Sequence, residues 1–259
     1  MELGLSGRRA IVCGASAGLG RACAQALSNE GVEVVLAART EETLKRAAGE
    51  IAESSGFSVD YVAADVTTEQ GRHALLGKCP DPDILINNAA GPPVGDYRQL
   101  TREDWIKALD GNMLSAIELI NTILDPMIER KFGRIINITS HMVKSPMAML
   151  SLSNGARAGL TGYVGGVARD VAKHNVTLNN LLPGQFDTGR LAANHQNFAT
   201  KQGLELEQVR NTFESQIPAK RFGQPEEFGA AAAFLCSAGS GFITGQNLML
   251  DGGQYPGLI

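Results

Sequence analysis

Residues 8–20 read RRAIVCGASAGLG, an apolar run that ends directly in a glycine-rich turn. The run is continuous and rich in aliphatic side chains, which is typical of a strand buried on both faces of a parallel sheet. Gly14, Gly18 and Gly20 follow in a GxxxGxG spacing, and the chain then continues in a helical pattern. This strand–turn–helix order predicts an α/β fold in which helices cover both faces of a parallel sheet.

The same alternation extends over the whole chain. Six further strand candidates are VEVVLAA, SVDYVAA, DILINNA, GRIINITS, NVTLNNLL and QNLMLDG. Between them, Thr40 is a candidate helix cap, and Pro225 suits the first position of another helix. We predict one domain over residues 1–259, with no linker or repeat. Residues 185–220 form a long polar insertion after a strand, which is a common place for a substrate lid.

Composition narrows the function classes. The 259 residues are 44% hydrophobic and carry a formal net charge of −4, without a basic stripe, so we expect no nucleic-acid partner. The N-terminus lacks a signal-peptide layout and no apolar run reaches membrane-spanning length, which predicts a soluble, cytoplasmic protein without a membrane partner. The four cysteines are scattered, so we expect reduced thiols and no metal site.

The glycine turn is a candidate cofactor-binding loop. Glycines let the backbone approach a pyrophosphate, and the N-terminus of the following helix offers amide donors. A tight turn without a ligand is the alternative, and the position between a first strand and a helix favours the cofactor. The candidate contacts are Gly14, Ser16, Ala17, Gly18, Leu19 and Gly20.

Further motifs occur in a specific order along the chain. They are GASAGLG at 14–20, Asp65-Val66, NNAAG at 87–91, Asn112, INITS ending at Ser140, Pro183-Gly184 with Thr188, RFGQPEE and ITGQNLMLDGG. Each motif is common, but the ordered set resembles the short-chain dehydrogenase/reductase family. It is most similar to the 3-oxoacyl-acyl-carrier-protein reductase-like members, and the resemblance covers nearly the whole chain.

The resemblance implies a Rossmann-type, doubly wound sheet of seven strands, NAD(P) binding and a homotetramer. It assigns Asp65 and Val66 to the adenine and Thr188 to the carboxamide of the cofactor. The remaining residues that it places beside the cofactor are Asn88, Ala89, Ala90, Gly91, Asn112, Arg157, Pro183 and Gly184.

The end of the second strand bears on the choice of nicotinamide cofactor. An acid there would bind the ribose 2′-hydroxyl of NAD, but the chain reads Ala38-Arg39 instead. A guanidinium pairs well with a 2′-phosphate. Ala17 stands where many NADP-binding relatives have a second basic residue. We therefore predict NADP, with NAD as the alternative.

The family's catalytic tyrosine and lysine are missing. Thirteen residues after Ser140 the chain has Ser153, and four residues later Arg157, where the resemblance implies a YxxxK motif. In the family, the tyrosine transfers the substrate proton and the lysine holds the ribose and lowers the tyrosine pKa. The resemblance implies that Ser140 orients the substrate carbonyl and that Asn112 supports a water chain behind the lysine position. An arginine can still bind ribose, but Ser153 is a poor acid.

Few residues can replace the missing proton donor. His141 follows Ser140 and has a suitable side chain, although a solvent-facing loop histidine is the alternative interpretation. Lys144 is a second candidate, and Tyr163 lies on another face of the same predicted helix. Dienoyl-CoA reductase-like members also read NNAAG and lack the tyrosine, but their acid is a tyrosine in this loop, so that resemblance is partial.

We therefore predict an NADP(H)-linked oxidoreductase with an atypical proton donor, acting on a small or acyl-type carbonyl or enone. Two alternatives remain open at this point: a nucleotide-binding protein without catalysis, and a lyase or dehydratase that uses the same pocket. A stripe of glycines at 155, 159, 162 and 166 adds to the expectation of an oligomer, since another helix could approach closely there.

Overall fold

The computed structural model describes residues 2–258. Its strands are β1 Arg9–Cys13, β2 Glu33–Ala38, β3 Val59–Ala63, β4 Ile84–Asn87, β5 Gly133–Ile138, β6 Val176–Pro183 and β7 Asn247–Leu250. Its helices are α1 Gly18–Asn29, α2 Glu41–Ser55, α3 Glu69–Lys78, α4 Arg102–Leu109, α5 Ser115–Glu129, α6 Ser151–Val171, α7 Gly189–Gln202, α8 Leu206–Gln216 and α9 Pro225–Cys236. A π-helical turn over Asp110–Leu114 joins α4 to α5.

The seven strands form one parallel sheet in the order β3-β2-β1-β4-β5-β6-β7. The predicted fold class is confirmed, and all seven predicted strands are present. The strand order reverses direction between β1 and β4, where the chain crosses from one half of the sheet to the other. In open α/β sheets, ligands bind at this switch point, outside the carboxyl ends of the strands.

Side chains of the central strands pack alternately into two cores. In β1, Ala10 and Val12 face the core formed with α1, α2 and α9, while Ile11 and Cys13 face the core formed with α3, α5 and α6. Both sets are almost completely buried. This period-two pattern explains the continuous apolar run in the sequence, because both faces of the strand need apolar side chains.

Two predicted helix starts are observed. The helix α2 begins after Thr40, although the Thr40 side chain makes no capping hydrogen bond, and it buries the apolar stripe of Leu44, Ala47, Ala48 and Ile51. Pro225 occupies the first turn of α9 as expected, and the Glu227 carboxylate accepts the Gln224 backbone N–H at 2.7 Å. An acidic side chain in the first turn also interacts favourably with the helix dipole.

The polar insertion at 185–220 contains two helices, α7 and α8. The His195 ring of α7 is buried, with its centroid 4.8 Å from that of Phe213 in α8. Arg210 of α8 forms an ion pair with Asp187 at 3.1 Å. Aromatic stacking connects α7 to α8, and the ion pair of Arg210 with Asp187 connects α8 to the segment before α7.

An asparagine ladder crosses four strands of the sheet. The Asn87 side-chain amide donates to Asn137 at 2.9 Å, Asn137 donates to Asn180 at 3.2 Å, and Asn180 donates to Asn247 at 2.8 Å. The four residues are direct partners in the register of β4, β5, β6 and β7. Each buried amide thus finds its partner on the neighbouring strand, as buried polar groups require.

The glycine stripe of α6 was expected to contact a helix of another subunit, and only part of it is free to do so. A Cβ at Gly155 would lie 2.7 Å from the Trp105 ring, and one at Gly159 would lie 2.7 Å from the Met113 sulfur. These two glycines therefore pack within their own chain, which corrects the expectation for half of the stripe. Gly162 and Gly166 have no such neighbour in the described part of the chain.

The four cysteines are buried free thiols. Burial raises the pKa of Cys13 to about 12 and that of Cys79 to about 11, so both thiols stay protonated near neutral pH. Within residues 2–258, no cluster of potential metal ligands is present, and no helix has the length and apolar character to cross a membrane.

Candidate active site

A cleft of about 1000 Å³ opens at the carboxyl ends of the strands. Its walls are the glycine turn after β1 and the segments that follow β2, β3, β4, β5 and β6, with the first half of α6 and the start of α7. The volume is at the upper end of the range of small-molecule and cofactor pockets. The cleft lies at the switch point of the sheet, where a ligand site is expected.

The glycine turn is a tight loop whose backbone conformation depends on glycine. Gly14 and Gly18 both have φ +59, a conformation that side chains disfavour. The Asn88 side-chain amide donates to the Gly14 carbonyl at 3.3 Å, and a Cβ on Gly20 would collide with that same carbonyl. The loop is therefore held tightly against the end of β4, and any side chain at these positions would displace it.

The turn leads into α1 without a side-chain cap. Ala17 is the N-cap residue, and it offers no acceptor to the first amides of the helix. The first N–H groups of a helix lack partners within the helix and favour an anion, together with the positive end of the helix dipole. Ser16, Ala17, Gly18 and Leu19 line the cleft at this point.

The far end of the cleft contains Arg39 and Asp65. Arg39 is exposed and forms no ion pair within residues 2–258. Hydrogen bonds from the Thr67 hydroxyl at 2.8 Å and backbone N–H at 3.0 Å lower the pKa of the Asp65 carboxyl, and the charge of Arg39 contributes less. Val66 lines the cleft beside them. This end can hold an adenosine and pair Arg39 with a phosphate.

The segment after β6 faces the glycine turn across the cleft. Thr188 is the N-cap of α7, and its hydroxyl accepts the Leu191 N–H at 3.3 Å. Its methyl lies 3.6 Å from where a Cβ of Gly18 would stand. Pro183 and Gly184 line the cleft below it, and Gly184 is tied to the Leu250 carbonyl at 2.8 Å.

Ser140 and His141 stand together at the end of β5. The Ser140 hydroxyl oxygen accepts the Met142 N–H at 3.2 Å, which leaves its proton free to donate to a ligand. The His141 Nδ1 lies 2.9 Å from the Pro183 carbonyl. A carbonyl only accepts, so Nδ1 carries a proton and Nε2 is the basic nitrogen of the neutral ring. Both side chains line the cleft, and His141 is half-buried.

Ser153 and Arg157 share one face of α6. The Arg157 Nε donates to the Ser153 hydroxyl at 3.2 Å, and its Nη1 donates to the Ile138 carbonyl at 2.7 Å. Arg157 is only 8% exposed. Burial, and secondly the charge of Arg190, lower the pKa of Arg157 to about 10, so the side chain remains charged at neutral pH.

Asn112 lies in the π-helical turn between α4 and α5. Its amide donates to the Ala108 carbonyl at 3.4 Å and to the Ala90 carbonyl at 3.5 Å, while its buried Oδ1 has no hydrogen-bond partner among the described residues. Asn112 and Arg157 both line a small cavity of about 20 Å³. Single π-helical turns often mark functional positions, and this cavity has room for about one water molecule.

The other two candidate proton donors lie elsewhere. The Lys144 Nζ lies 5.8 Å from the centroid of the Tyr255 ring and is not part of the cleft wall. The Tyr163 hydroxyl donates to Asn121 of α5 at 2.6 Å, far from the cleft. The wall of one cleft brings together residues that the sequence predicts to be neighbours: Ser140, His141, Ser153, Arg157 and Ala89 to Gly91.

The sequence reasoning misses several cleft residues as site residues, among them Arg190. Arg190, two residues after Thr188, lines the cleft, and its guanidinium lies 3.0 Å from where a Cβ of Gly91 would stand. The available signal was a basic residue two positions after Thr188, the residue that the resemblance assigns to the cofactor.

The chain matches known proteins over almost its full length. Residues 14–254 match the family model described as enoyl-(acyl carrier protein) reductase. The chain is 32% identical to the 3-oxoacyl-[acyl-carrier-protein] reductase of Vibrio cholerae, covering 98% of this chain and 99% of that protein. It is 31% identical to an NADPH-dependent reductase of Bacillus subtilis, covering 96% and 98%.

Solved structures give the same result. The crystal structure of L-sorbose reductase from Gluconobacter frateurii, complexed with NADPH and L-sorbose, superposes with a TM-score of 0.95 and 28% identity over 100% of both chains. The region matched by the family model begins at Gly14 of the glycine turn and includes all of the ordered motifs. The chain belongs to the short-chain dehydrogenase/reductase family.

Proposed function

We propose that the protein is an NADP(H)-linked oxidoreductase that reduces a small or acyl-type carbonyl or an enone with an atypical proton donor. The observation that carries this proposal is a single cleft with a phosphate-binding turn at one end and Ser140 with His141 at the other. The relatives are named as reductases of acyl thioesters and of small carbonyl compounds, which supports the same reaction class.

The cleft suits a dinucleotide with a 2′-phosphate. The uncapped start of α1 and the glycine turn would hold the pyrophosphate, and Arg39 would pair with the 2′-phosphate. Asp65 and Val66 would contact the adenine, Asn88 to Gly91 would line the cofactor, and Thr188 would hold the carboxamide, with Pro183 and Gly184 beneath it. When bound, NADPH supplies the hydride for the reduction.

In this proposal His141 transfers the proton. The Pro183 carbonyl fixes the orientation of its ring through Nδ1, which leaves Nε2 as the exchangeable position. Protonated His141 would donate to the substrate oxygen during reduction, and the neutral ring would accept that proton in the reverse direction. Ser140 would donate a hydrogen bond to the same oxygen and position it.

Arg157 and Ser153 bind and orient in this proposal. Arg157 is fixed by the Ile138 carbonyl and by Ser153, and its remaining N–H groups would donate to the ribose hydroxyls of the cofactor. A guanidinium does not release its proton near neutral pH, and an aliphatic hydroxyl is far less acidic than a phenol. A water molecule in the small cavity would donate to Asn112 Oδ1 and accept from Arg157, which keeps Arg157 in place.

The segment 185–220 would serve as the substrate lid of the single domain. Thr188, Arg190, Leu191 and Asn194 contribute to the cleft wall, while the rest of α7 and α8 lies outside it.

The test of the proposed function is steady-state NADPH oxidation across a panel of 3-oxoacyl thioesters, small ketones and enones. Turnover with at least one class is expected, and loss of that turnover in His141→Ala supports the assigned donor. Tight NADPH binding without turnover of any compound would favour a nucleotide-binding protein. Conversion of a substrate without NADPH would favour a lyase or dehydratase.

The chain is expected to bind NADPH more tightly than NADH. Losing a charge-assisted hydrogen bond costs about 1.5–3 kcal/mol, so Arg39→Ala should weaken NADPH binding by roughly 10–100-fold and leave NADH binding nearly unchanged. Calorimetric titration of both cofactors measures this preference. Arg46→Ala, an exposed arginine of α2 outside the cleft, is the matched control. Equal affinities of wild type for both cofactors would rule out the NADP assignment.

We also propose a homotetramer, as the family resemblance implies. Gly162 and Gly166 leave part of the α6 surface open to a second helix. Light scattering at micromolar concentration should give about four times the chain mass of 27.4 kDa. A monomer mass would contradict the proposal.

A further inference from the structure

Two arginines face the catalytic end of the cleft without a counter-charge. Arg157 and Arg190 both line it, and neither forms an ion pair with any residue of 2–258. Asp110 lines the same cleft but pairs with neither of them. The cleft residue Lys107 is already paired with Glu103 at 2.7 Å. The two guanidiniums therefore present unneutralised positive charge where a substrate would bind.

The two arginines are close enough for the charge of Arg190 to contribute to lowering the pKa of Arg157. Like charges held near each other are unfavourable unless an anion neutralises them. The Arg190 side chain makes no hydrogen bond to another residue of 2–258, and its guanidinium packs against Gly91 instead of reaching an acid. It also stands in the first turn of α7, a helix of 14 residues whose N-terminus favours an anion as well.

Arg157 lies apart from the elements assigned to the cofactor phosphates. Arg157 is fixed to Ser153 and to the Ile138 carbonyl, two residues before Ser140, so it belongs to the catalytic end. The phosphate-binding elements are the glycine turn and the start of α1, and Arg39 stands at the opposite end beside Asp65. A guanidinium fork matches a carboxylate with two parallel hydrogen bonds.

We infer that the substrate carries a carboxylate near its reactive carbonyl or enone, and that Arg190 binds this carboxylate beside Arg157. The inference rests on the proposed reductase function and narrows its substrate to oxo-acids or unsaturated oxo-acids. Arg190 is then a specificity-determining residue: it anchors the acid and presents the carbonyl carbon to the cofactor and the carbonyl oxygen to Ser140 and His141.

Binding to the complex with oxidised cofactor tests the carboxylate site without turnover, because NADP⁺ has no hydride to give. The probes are acetoacetate and the neutral acetoacetamide, titrated calorimetrically into enzyme saturated with NADP⁺. Wild type should bind acetoacetate at least about 10-fold more tightly than acetoacetamide, as expected for a charge-assisted pair. In Arg190→Gln the two affinities should differ by less than about 2-fold, while Arg190→Lys should retain part of the difference.

Arg169→Gln is the matched control, since it removes one exposed arginine of α6 outside the cleft and should behave as wild type. Equal binding of both probes to wild type, or no binding of either, would overturn the inference. If Arg190→Gln instead weakens NADP⁺ by about 10-fold and keeps the acid preference, Arg190 pairs with a cofactor phosphate and the inference also fails. Failure of the reductase function is a different result: no NADPH oxidation with any carbonyl compound.

Discussion

In a His141→Ala background, which lacks the histidine donor, adding Ser153→Tyr/Arg157→Lys is expected to raise the rate of NADPH oxidation with simple 3-oxoacyl substrates by about 10²–10⁴-fold. Ser153 and Arg157 already share one face of α6 and line the cleft, so the replacements point at the same ligands. A phenol has a pKa of about 10 and loses its proton far more readily than an aliphatic hydroxyl. A lysine beside it favours the phenolate, which makes proton transfer at neutral pH faster.

Steady-state NADPH oxidation measures this gain, and Ser153→Phe/Arg157→Lys in the same background is the matched control because it lacks only the phenolic hydroxyl. His141→Ala should abolish most of the wild-type rate but cost little in the Ser153→Tyr/Arg157→Lys background, where the tyrosine transfers the proton. Equal rates for the tyrosine and phenylalanine variants would show that position 153 does not face the reacting oxygen. A wild-type rate unaffected by His141→Ala would remove His141 as the donor.

Arg134→Met is expected to destabilise the fold by about 3 kcal/mol without affecting cofactor binding. Arg134 is fully buried at the amino end of β5, opposite the cleft. Its guanidinium donates to the carbonyls of Gly133 at 2.9 Å, Asn175 at 2.8 Å and Ser237 at 3.1 Å, and also to the Asn175 side chain. It therefore joins the starts of β5 and β6 to the end of α9, and methionine would leave these oxygens with fewer donors.

Urea unfolding followed by circular dichroism measures the loss, which corresponds to a decrease in Tm of roughly 6–12 °C for a chain of this size. Arg169→Met, on the exposed face of α6, should change the stability by less than about 0.5 kcal/mol. If Arg134→Met unfolds at the wild-type urea concentration, the hydrogen bonds of Arg134 contribute nothing net to stability.

The sheet could be predicted from the sequence because its strands are buried on both faces and read as continuous apolar runs. The glycine turn was predictable for a similar reason, since Gly14 and Gly20 meet steric demands that only glycine satisfies. The insertion at 185–220 was harder. Its helices bury His195 against aromatic rings, and a histidine on a polar segment does not signal a core position in a hydrophobicity pattern.

The catalytic end of the cleft was only partly predictable. Spacing placed Ser153 and Arg157 one helical turn apart, but the burial of Arg157 depends on the Ile138 carbonyl from a different strand. The contact of His141 with Pro183 joins residues 42 positions apart, and the approach of Arg190 to Gly91 spans a still longer separation. Such pairs depend on tertiary packing, which no local pattern contains.

The asparagine ladder favours a single register between neighbouring strands, which aliphatic side chains alone cannot do. Valine, isoleucine and leucine pack almost equally well against one another after a shift of two residues, whereas a displaced asparagine would leave its amide without a partner in a dry interior. The four-residue strand β7 is thereby matched to one alignment only, through Asn247 and Asn180. That register fixes the position of Leu250 relative to β6, and the Leu250 carbonyl accepts the Gly184 N–H at the base of the cleft. Misaligned pairing of β7 would therefore lose the hydrogen bond between Asn180 and Asn247 and would also displace the base of the cleft.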